Sequence, residues 1–194
     1  MADYTNAWLS YKMKALTNST LWKKVTVAAE GGNASLPQTA ETAVKELTRA
    51  AKELFRIELR QEVKNVSFSG TEASAEELKN MIGCEEGLVL VYLPALKDTY
   101  KEGYRLAVTE TAAYIISGTG RGLLYGAFDV IRTEIIEDAV LPCDKKVIPD
   151  NPLRMMNHWD NMDNSIERGY SGESFFFKDN EVVVNDRTRE YARL

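Results

Sequence analysis

Apolar residues recur at helical spacing in two long segments of the chain. Positions three and four apart fall on one face of a helix, so each segment predicts an amphipathic helix that lies against a sheet. We predict one helix over about Thr39–Phe55 and another near Gly122–Ile136. The first stripe consists of Ala40, Ala43, Val44, Leu47, Ala50, Ala51, Leu54 and Phe55; the second contains Leu124, Ala127, Phe128, Ile131 and Ile135.

Shorter β-branched and apolar runs predict the strands that these helices cover. Ser74, followed three residues later by Glu77, predicts the start of a short helix that ends near Met81. Together these elements predict an α+β fold for residues 1–150, a two-layer N-terminal domain of mixed β-sheet with helices. The predicted strands are Lys24–Ala29, Val63–Ser69, Gly87–Leu93, and a hairpin of Tyr104–Thr109 with Ala112–Ser117; Trp8–Leu16 is a further predicted helix.

The segment Leu141–Pro152 contains three prolines and no hydrophobic period, so we predict a linker and place the domain boundary near Asp150. After it, Leu153–Met156 predicts a short apolar strand that runs into a long loop. Residues 174–184 predict a hairpin and a helix is predicted from Asp186, so residues 151–194 look like one β/α unit without a second strand to pair with.

Charge and composition exclude several classes of function. The net charge is −5 and Lys and Arg form no dense cluster, so we expect no nucleic-acid partner. The N-terminus lacks the basic and long apolar stretches of a signal peptide or membrane span, so no membrane association is expected. A cytoplasmic location follows, or a periplasmic or secreted one if a signal peptide has been removed. Cys84 and Cys143 are too few for a disulfide framework.

His158 is the sole histidine, which argues against a histidine-based zinc site and against a Ser-His-Asp triad in this chain. We expect no metal and no organic cofactor, so any chemistry would use carboxylates. The glycine-rich run Ser117–Gly122 lies where a phosphate-binding loop would lie. It fails the dinucleotide fingerprint because the third glycine would fall at Leu123, and a tight turn into the helix is the favoured interpretation.

The stretch Asn157–Asp163 places one indole, two carboxylates and two amides within seven residues. An aromatic face covers the C–H side of a sugar ring while carboxylates and amides bind its hydroxyls, so sugar binding is one interpretation. An interdomain packing patch is the other. Asp160, Asp163 and Glu167 are candidate acids, but carboxylates this close in one loop do not straddle a scissile glycosidic bond.

The sequence from Asn151 to Tyr170 closely resembles the signature of glycoside hydrolase family 67, the α-glucuronidases. Where that family usually has glycine, this chain has Asn164, and asparagine tolerates the same left-handed backbone, so the loop shape should be kept. Weaker resemblance extends over the whole chain, in Ala7–Tyr11, Ile115–Gly118, Gly122–Gly126 and Arg189–Leu194.

The resemblance implies that residues 151–194 begin a catalytic (β/α)8 barrel and that this barrel is incomplete in the chain. It further implies inverting removal of 4-O-methyl-glucuronic acid from xylo-oligosaccharides, the expected substrate partner of the full-length protein. The acid and base of the family come from later strands, so no catalytic residue is expected here and the fragment should be inactive. Trp159 and Glu167 would bind substrate, supported by Asp160, Asn161 and Arg168.

Two alternatives remain open from sequence. One is a non-catalytic module, either a scaffold that supports the barrel or a carbohydrate-binding domain in its own right. The other concerns the exposed apolar surface expected on an orphaned β/α unit, which would dock on the first domain, pair between chains as a homodimer, or be mobile.

Overall fold

A computed structural model describes residues 11–16, 18, 20–31, 36–70, 72, 74–170 and 172–193. The chain divides into two compact units, one formed by Tyr11–Pro152 and one that includes Leu153–Leu194. The interpretation of these segments as an N-terminal domain and an opening barrel unit stays a prediction. Across the described residues, no helix combines the length and the apolar character needed to cross a membrane.

The first unit is built on a six-stranded, mostly parallel sheet with the order β2-β1-β3-β5-β4-β6. The strands β2, β1, β3 and β5 are parallel neighbours, whereas β4 runs antiparallel to both β5 and β6. The predicted mixed sheet with helices is therefore confirmed. The strands are β1 Lys24–Ala29, β2 Arg60–Asn65, β3 Gly87–Tyr92, β4 Tyr104–Val108, β5 Ala112–Ser117 and β6 Cys143–Val147.

Helices cover both faces of this sheet, so the unit has three layers and the prediction of two was wrong. On one face lie α1 (Gln38–Phe55) and α4 (Gly120–Ile136), which pack against each other. On the other, side chains of α2 (Ala75–Ile82) and α3 (Lys97–Tyr100) join the core formed by alternate residues of the central strands. β3 and β5 are buried at nearly every position rather than at alternate ones, as expected of parallel strands covered on both sides.

Two strands of the sheet differ from the sequence prediction because they lie at its edges. β6 falls inside the segment predicted as a linker, and β2 begins three residues before the predicted strand. Both are largely exposed and polar, so neither carries the hydrophobic pattern that predicts a strand. β6 is held to α4 through Lys145, whose ammonium lies 2.7 Å from the buried carboxylate of Asp129.

A buried polar contact fixes α4 within the first unit. The indole of Trp22 is fully buried, packs 5.3 Å from the ring of Phe55 and donates a hydrogen bond of 3.2 Å to Oε2 of Glu134. The ammonium of Lys14 lies 3.5 Å from the other oxygen of that carboxylate. Residues Tyr11–Leu16 are not helical, so the described part of the helix predicted at Trp8–Leu16 was wrong; residues 8–10 lie outside the described residues.

The second unit contains a hairpin and one short helix, as predicted. The hairpin pairs β7 (Phe177–Lys178) with β8 (Glu181–Val182), and α5 (Asp186–Tyr191) starts at a capping box formed by Asn185 and Thr188. The predicted opening strand at residues 153–156 is not formed, and Met155 is 79% exposed. Among the described residues this run pairs with no strand of either sheet, and a parallel barrel strand requires such pairing.

Candidate functional site

The loop from Asn157 to Glu167 is closed at its base by the backbone. The Glu167 N–H donates to the carbonyl of Trp159 at 2.9 Å, and Asp160 and Ile166 form an antiparallel bridge. These contacts bring two residues that are eight positions apart in sequence, Trp159 and Glu167, to the same end of the loop.

The tip of the loop is a tight turn stabilised by Asn161. Its backbone N–H donates to the carbonyl of Ser165 at 2.9 Å, and its side-chain amide donates to the Ser165 hydroxyl at 3.0 Å and to the Glu167 carbonyl at 2.6 Å. Asn164 adopts the left-handed backbone with φ of 74°. Asn164 therefore has the left-handed backbone expected of a residue that stands where the family usually has glycine.

A cleft of about 350 Å³ opens beside this loop, lined by Asn157, His158, Trp159, Ile166 and Glu167. Trp159 is 57% exposed, and its indole N–H donates to the side-chain carbonyl of Asn157 at 3.1 Å. The cleft therefore combines an accessible aromatic surface, an amide and a carboxylate. These are the groups that bind the apolar face and the hydroxyls of a sugar.

Glu167 is held at the cleft by a strained backbone and a neighbouring phenol. Its φ is 53°, a conformation that residues other than glycine adopt rarely. A hydrogen bond from the hydroxyl of Tyr170 to the Glu167 carboxylate, together with the negative charge of that carboxylate, raises the pKa of Tyr170. Of the residues predicted from sequence, Trp159 and Glu167 thus share one cleft.

Asp160 takes a different position from the one expected of a substrate-binding carboxylate. Its side chain is only 6% exposed, and Oδ2 accepts hydrogen bonds from the backbone N–H groups of Phe175 at 3.0 Å and Phe176 at 3.1 Å. Burial raises the pKa of Asp160, but hydrogen bonds from Ser174, His158 and these two N–H groups outweigh it, so the pKa is lowered overall. Asp160 is therefore ionised beneath the loop, where it does not itself line the cleft but contacts the lining residue His158.

The remaining two predicted residues differ in their surroundings. Asn161 supports the cleft indirectly through its hydrogen bond to the Glu167 carbonyl, whereas Arg168 is exposed one residue further on. Sequence reasoning missed Asn157, His158 and Ile166 as lining residues. The two polar ones lie in the stretch already singled out, but one-dimensional spacing does not indicate which side chains of a loop share an opening.

Within the ranges that the structure describes, no group of three or more His, Cys, Asp or Glu side chains is arranged to hold a metal ion. The glycine-rich run is a turn that caps α4, since the Thr119 hydroxyl accepts a hydrogen bond of 3.1 Å from the N–H of Gly122. The cleft at Trp159 is the candidate site because it brings together the predicted residues Trp159 and Glu167.

Comparison with known proteins separates the chain into two matched segments. Residues 14–128, more than half of the chain, match the family described as glycosyl hydrolase family 20, domain 2. Residues 137–194 match the glycosyl hydrolase family 67 middle domain, and this segment contains the whole cleft. The chain therefore carries a domain of the glycosyl hydrolase family 20, domain 2 type, followed by a segment of the family 67 middle domain type.

Named relatives of the chain include alpha-glucuronidases of Aspergillus species. A probable alpha-glucuronidase A of Aspergillus fumigatus is 40% identical over 95 residues, which are 48% of this chain and 11% of that protein. The probable alpha-glucuronidase A of Aspergillus terreus is 37% identical over 100 residues, and alpha-glucuronidase A of Aspergillus tubingensis is 38% identical over 100 residues; each match covers 51% of this chain and 12% of the relative. The matched part is thus about a ninth of the length of these relatives.

Proposed function

We propose that this chain supplies one wall of the substrate pocket of a family 67 α-glucuronidase. The observation that supports it is the cleft shared by Trp159 and Glu167, which lies inside the segment that matches the family 67 middle domain. Relatives that carry the name alpha-glucuronidase suggest a glucuronic acid-bearing oligosaccharide as the substrate.

The proposed contacts follow from the chemistry of a uronic sugar. The exposed indole of Trp159 covers the C–H face of the ring, and the carboxylate of Glu167 accepts hydrogen bonds from its hydroxyls. The uronate carboxylate would be repelled by Glu167 and attracted by a cation, for which Arg168 is the nearest arginine in sequence. Asp160 and Asn161 contribute by holding the loop rather than by touching the sugar.

The reaction proposed for the whole enzyme is the inverting release of (4-O-methyl)-glucuronic acid from xylo-oligosaccharides. Inversion needs a protonated carboxyl on the leaving oxygen and a carboxylate that activates water on the opposite face. We assign neither role to a residue of this chain and propose that residues 151–194 form the start of the catalytic barrel. No cofactor is needed for this chemistry.

We expect the isolated chain to release no glucuronic acid from aldouronic acids, because removal of a general acid and base leaves no route to either proton transfer. The measurement is product release by purified chain over a day, against a commercial α-glucuronidase as positive control. Turnover above the buffer blank would contradict the assignment of the acid and base outside this chain.

The binding role is tested by nuclear magnetic resonance titration with methyl glucuronide and, as the matched neutral sugar, methyl glucoside. We expect weak binding, with a Kd of about 1 mM or above, since one loop provides only part of a pocket. Shifts should centre on the Trp159 indole and the Glu167 amide, should be larger with the uronic sugar, and should vanish in Trp159→Ala. Shifts that centre elsewhere, or that do not distinguish the two sugars, would contradict the proposal.

A non-catalytic scaffold or carbohydrate-binding module is the second candidate. It is favoured by the open cleft and the high exposure of Trp159, because an exposed aromatic platform binds sugars without further walls. Saturable binding of unsubstituted xylo-oligosaccharides that is lost in Trp159→Ala would support this module over the pocket of a glucuronidase.

A further inference from the structure

Trp159 is flanked in sequence by two side chains that are both anchored beneath the loop. His158 is about 20% exposed and Asp160 about 6% exposed, whereas the indole between them is 57% exposed. An aromatic side chain that is accessible while both its neighbours are fixed is well placed to be presented rigidly to a ligand.

The Asp160 carboxylate collects three hydrogen-bond donors on a single oxygen. Besides the two N–H groups of Phe175 and Phe176, Oδ2 lies 3.2 Å from Nε2 of His158. A carboxylate that accepts from backbone N–H groups and an imidazole forms charge-assisted hydrogen bonds, which are about twice as strong as neutral ones. This contact fastens the start of the loop to the segment that leads into β7.

His158 extends the network to the end of α5. Its Nδ1 lies 3.0 Å from the hydroxyl of Tyr191, and its ring meets those of Phe175 and Phe176 edge-on at 5.4 and 5.3 Å. Because an ionised carboxylate only accepts, a neutral ring in this position carries its proton on Nε2 and accepts the Tyr191 O–H at Nδ1. In the neutral ring, this is the one arrangement of protons that satisfies all three side chains.

We propose that Asp160 and His158 are positioning residues for the cleft, which they hold open by fixing the backbone on both sides of Trp159. The Asp160 carboxylate ties the loop to Phe175 and Phe176, and the single His158 tautomer ties it to Tyr191. The positioning role rests on the proposed function, but the hydrogen-bond network of Asp160 and His158 forms without a bound sugar. It gives a physical form to the supporting role predicted for Asp160, which is control of the residues proposed to contact the substrate.

The experiment uses the full chain and the fact that His158 is its sole histidine, so one imidazole gives all the signals. Long-range proton–nitrogen correlation at about pH 8, where an ordinary imidazole is neutral, should show the Nε2–H tautomer alone. In Asp160→Ala we expect a mixture of tautomers, a shifted Trp159 indole N–H, and exchange of the Phe175 and Phe176 amides at least about tenfold faster. Asp160→Asn, which keeps one acceptor oxygen, should give a smaller change in each readout.

Two further variants separate positioning from loss of the fold. Tyr191→Phe removes only the hydroxyl, so it should change the Nδ1 signal of His158 while the Phe175 and Phe176 amides stay protected. Asp163→Ala removes an exposed carboxylate of the same loop that accepts from Ser165. It should leave the exchange rates of the Phe175 and Phe176 amides within about twofold of the original chain, with the His158 tautomer and the Trp159 indole signal unchanged. The indole signal of Trp22 reports that the first unit is intact.

An Nδ1–H tautomer in the original chain would overturn the proposal. Phe175 and Phe176 amides that exchange within twofold of their original rates in Asp160→Ala would overturn it as well. Neither readout involves sugar, so a chain that keeps the network but shows no uronic-acid response contradicts only the proposed function. A chain that binds the sugar normally in Asp160→Ala contradicts only the positioning role.

Discussion

Replacing Trp22 by alanine should lower the free energy of unfolding of the first unit by about 4 kcal/mol. The indole is fully buried against Phe55, so its removal leaves a cavity that the surrounding helices and sheet fill only in part. The same change removes the hydrogen bond to Glu134, whose carboxylate is fully buried and retains only the contact with Lys14 among those described above. Both effects lower the free energy of unfolding.

The measurement is urea unfolding followed by far-ultraviolet circular dichroism. Trp22→Phe keeps an aromatic ring but removes the N–H donor, so it should cost about 2 kcal/mol and stay measurable if the alanine variant unfolds. The control is Val63→Ala at a position that is 50% exposed on edge strand β2, where a loss below about 1 kcal/mol is expected. Equal losses in Trp22→Ala and Val63→Ala would contradict the importance of this buried contact.

Gly118→Ala should destabilise the first unit by about 3 kcal/mol, the upper part of the range for overpacking. A Cβ atom at this position would lie 2.2 Å from the backbone nitrogen of Lys97 and 2.5 Å from the carbonyl carbon of Leu96. Backbone atoms cannot move aside as a side chain can, so β5 and the turn before α3 would have to separate. The glycine is therefore required by the close approach of two chain segments.

Gly70→Ala is the matched control, because it makes the same chemical change where the nearest atom, at 3.0 Å, is the far end of the Phe68 ring. We expect a loss of about 1 kcal/mol or less there, since the end of the partly buried Phe68 ring needs to shift by only a few tenths of an ångström. The measurement is the urea midpoint of each variant, compared with that of the original chain. If Gly118→Ala were as stable as Gly70→Ala, the packing role of this glycine would be wrong.

The glycine-rich run Ser117–Gly122 serves packing and helix capping in the first unit. Its glycines could have indicated a phosphate-binding loop, but Gly118 faces the Leu96–Lys97 backbone and Thr119 caps α4. The loop that contains Trp159 is therefore the candidate for ligand binding.

Hydrophobic period and capping chemistry determined most elements of the first unit. The apolar stripes placed α1 and α4 to within two residues at each end, and the Ser74–Glu77 pair gave the capping box that starts α2. The continuous apolar run of β3 predicted a buried strand, and the structure buries it on both faces. Such patterns are readable because they depend on neighbours within one turn or one strand.

In the second unit, the sequence indicated the loop with the chemistry of sugar binding and the left-handed turn at Asn164. It also indicated a strand at residues 153–156, which was wrong because a strand exists only when a neighbour accepts its hydrogen bonds. An apolar run indicates that a surface is stabilised by burial, but it does not indicate which segment covers that surface.

The sequence by itself therefore determined the central strands, the long helices and the residues that carry the candidate chemistry. Only the tertiary structure decided that helices cover both faces of the sheet, that the polar segment Cys143–Val147 pairs with β4, and that Asp160 lies under the loop while Trp159 and Glu167 share the cleft. The physical reason is distance along the chain. Period and capping act over a few residues, whereas edge pairing, burial of a carboxylate and the shape of a cleft depend on segments that meet only after folding.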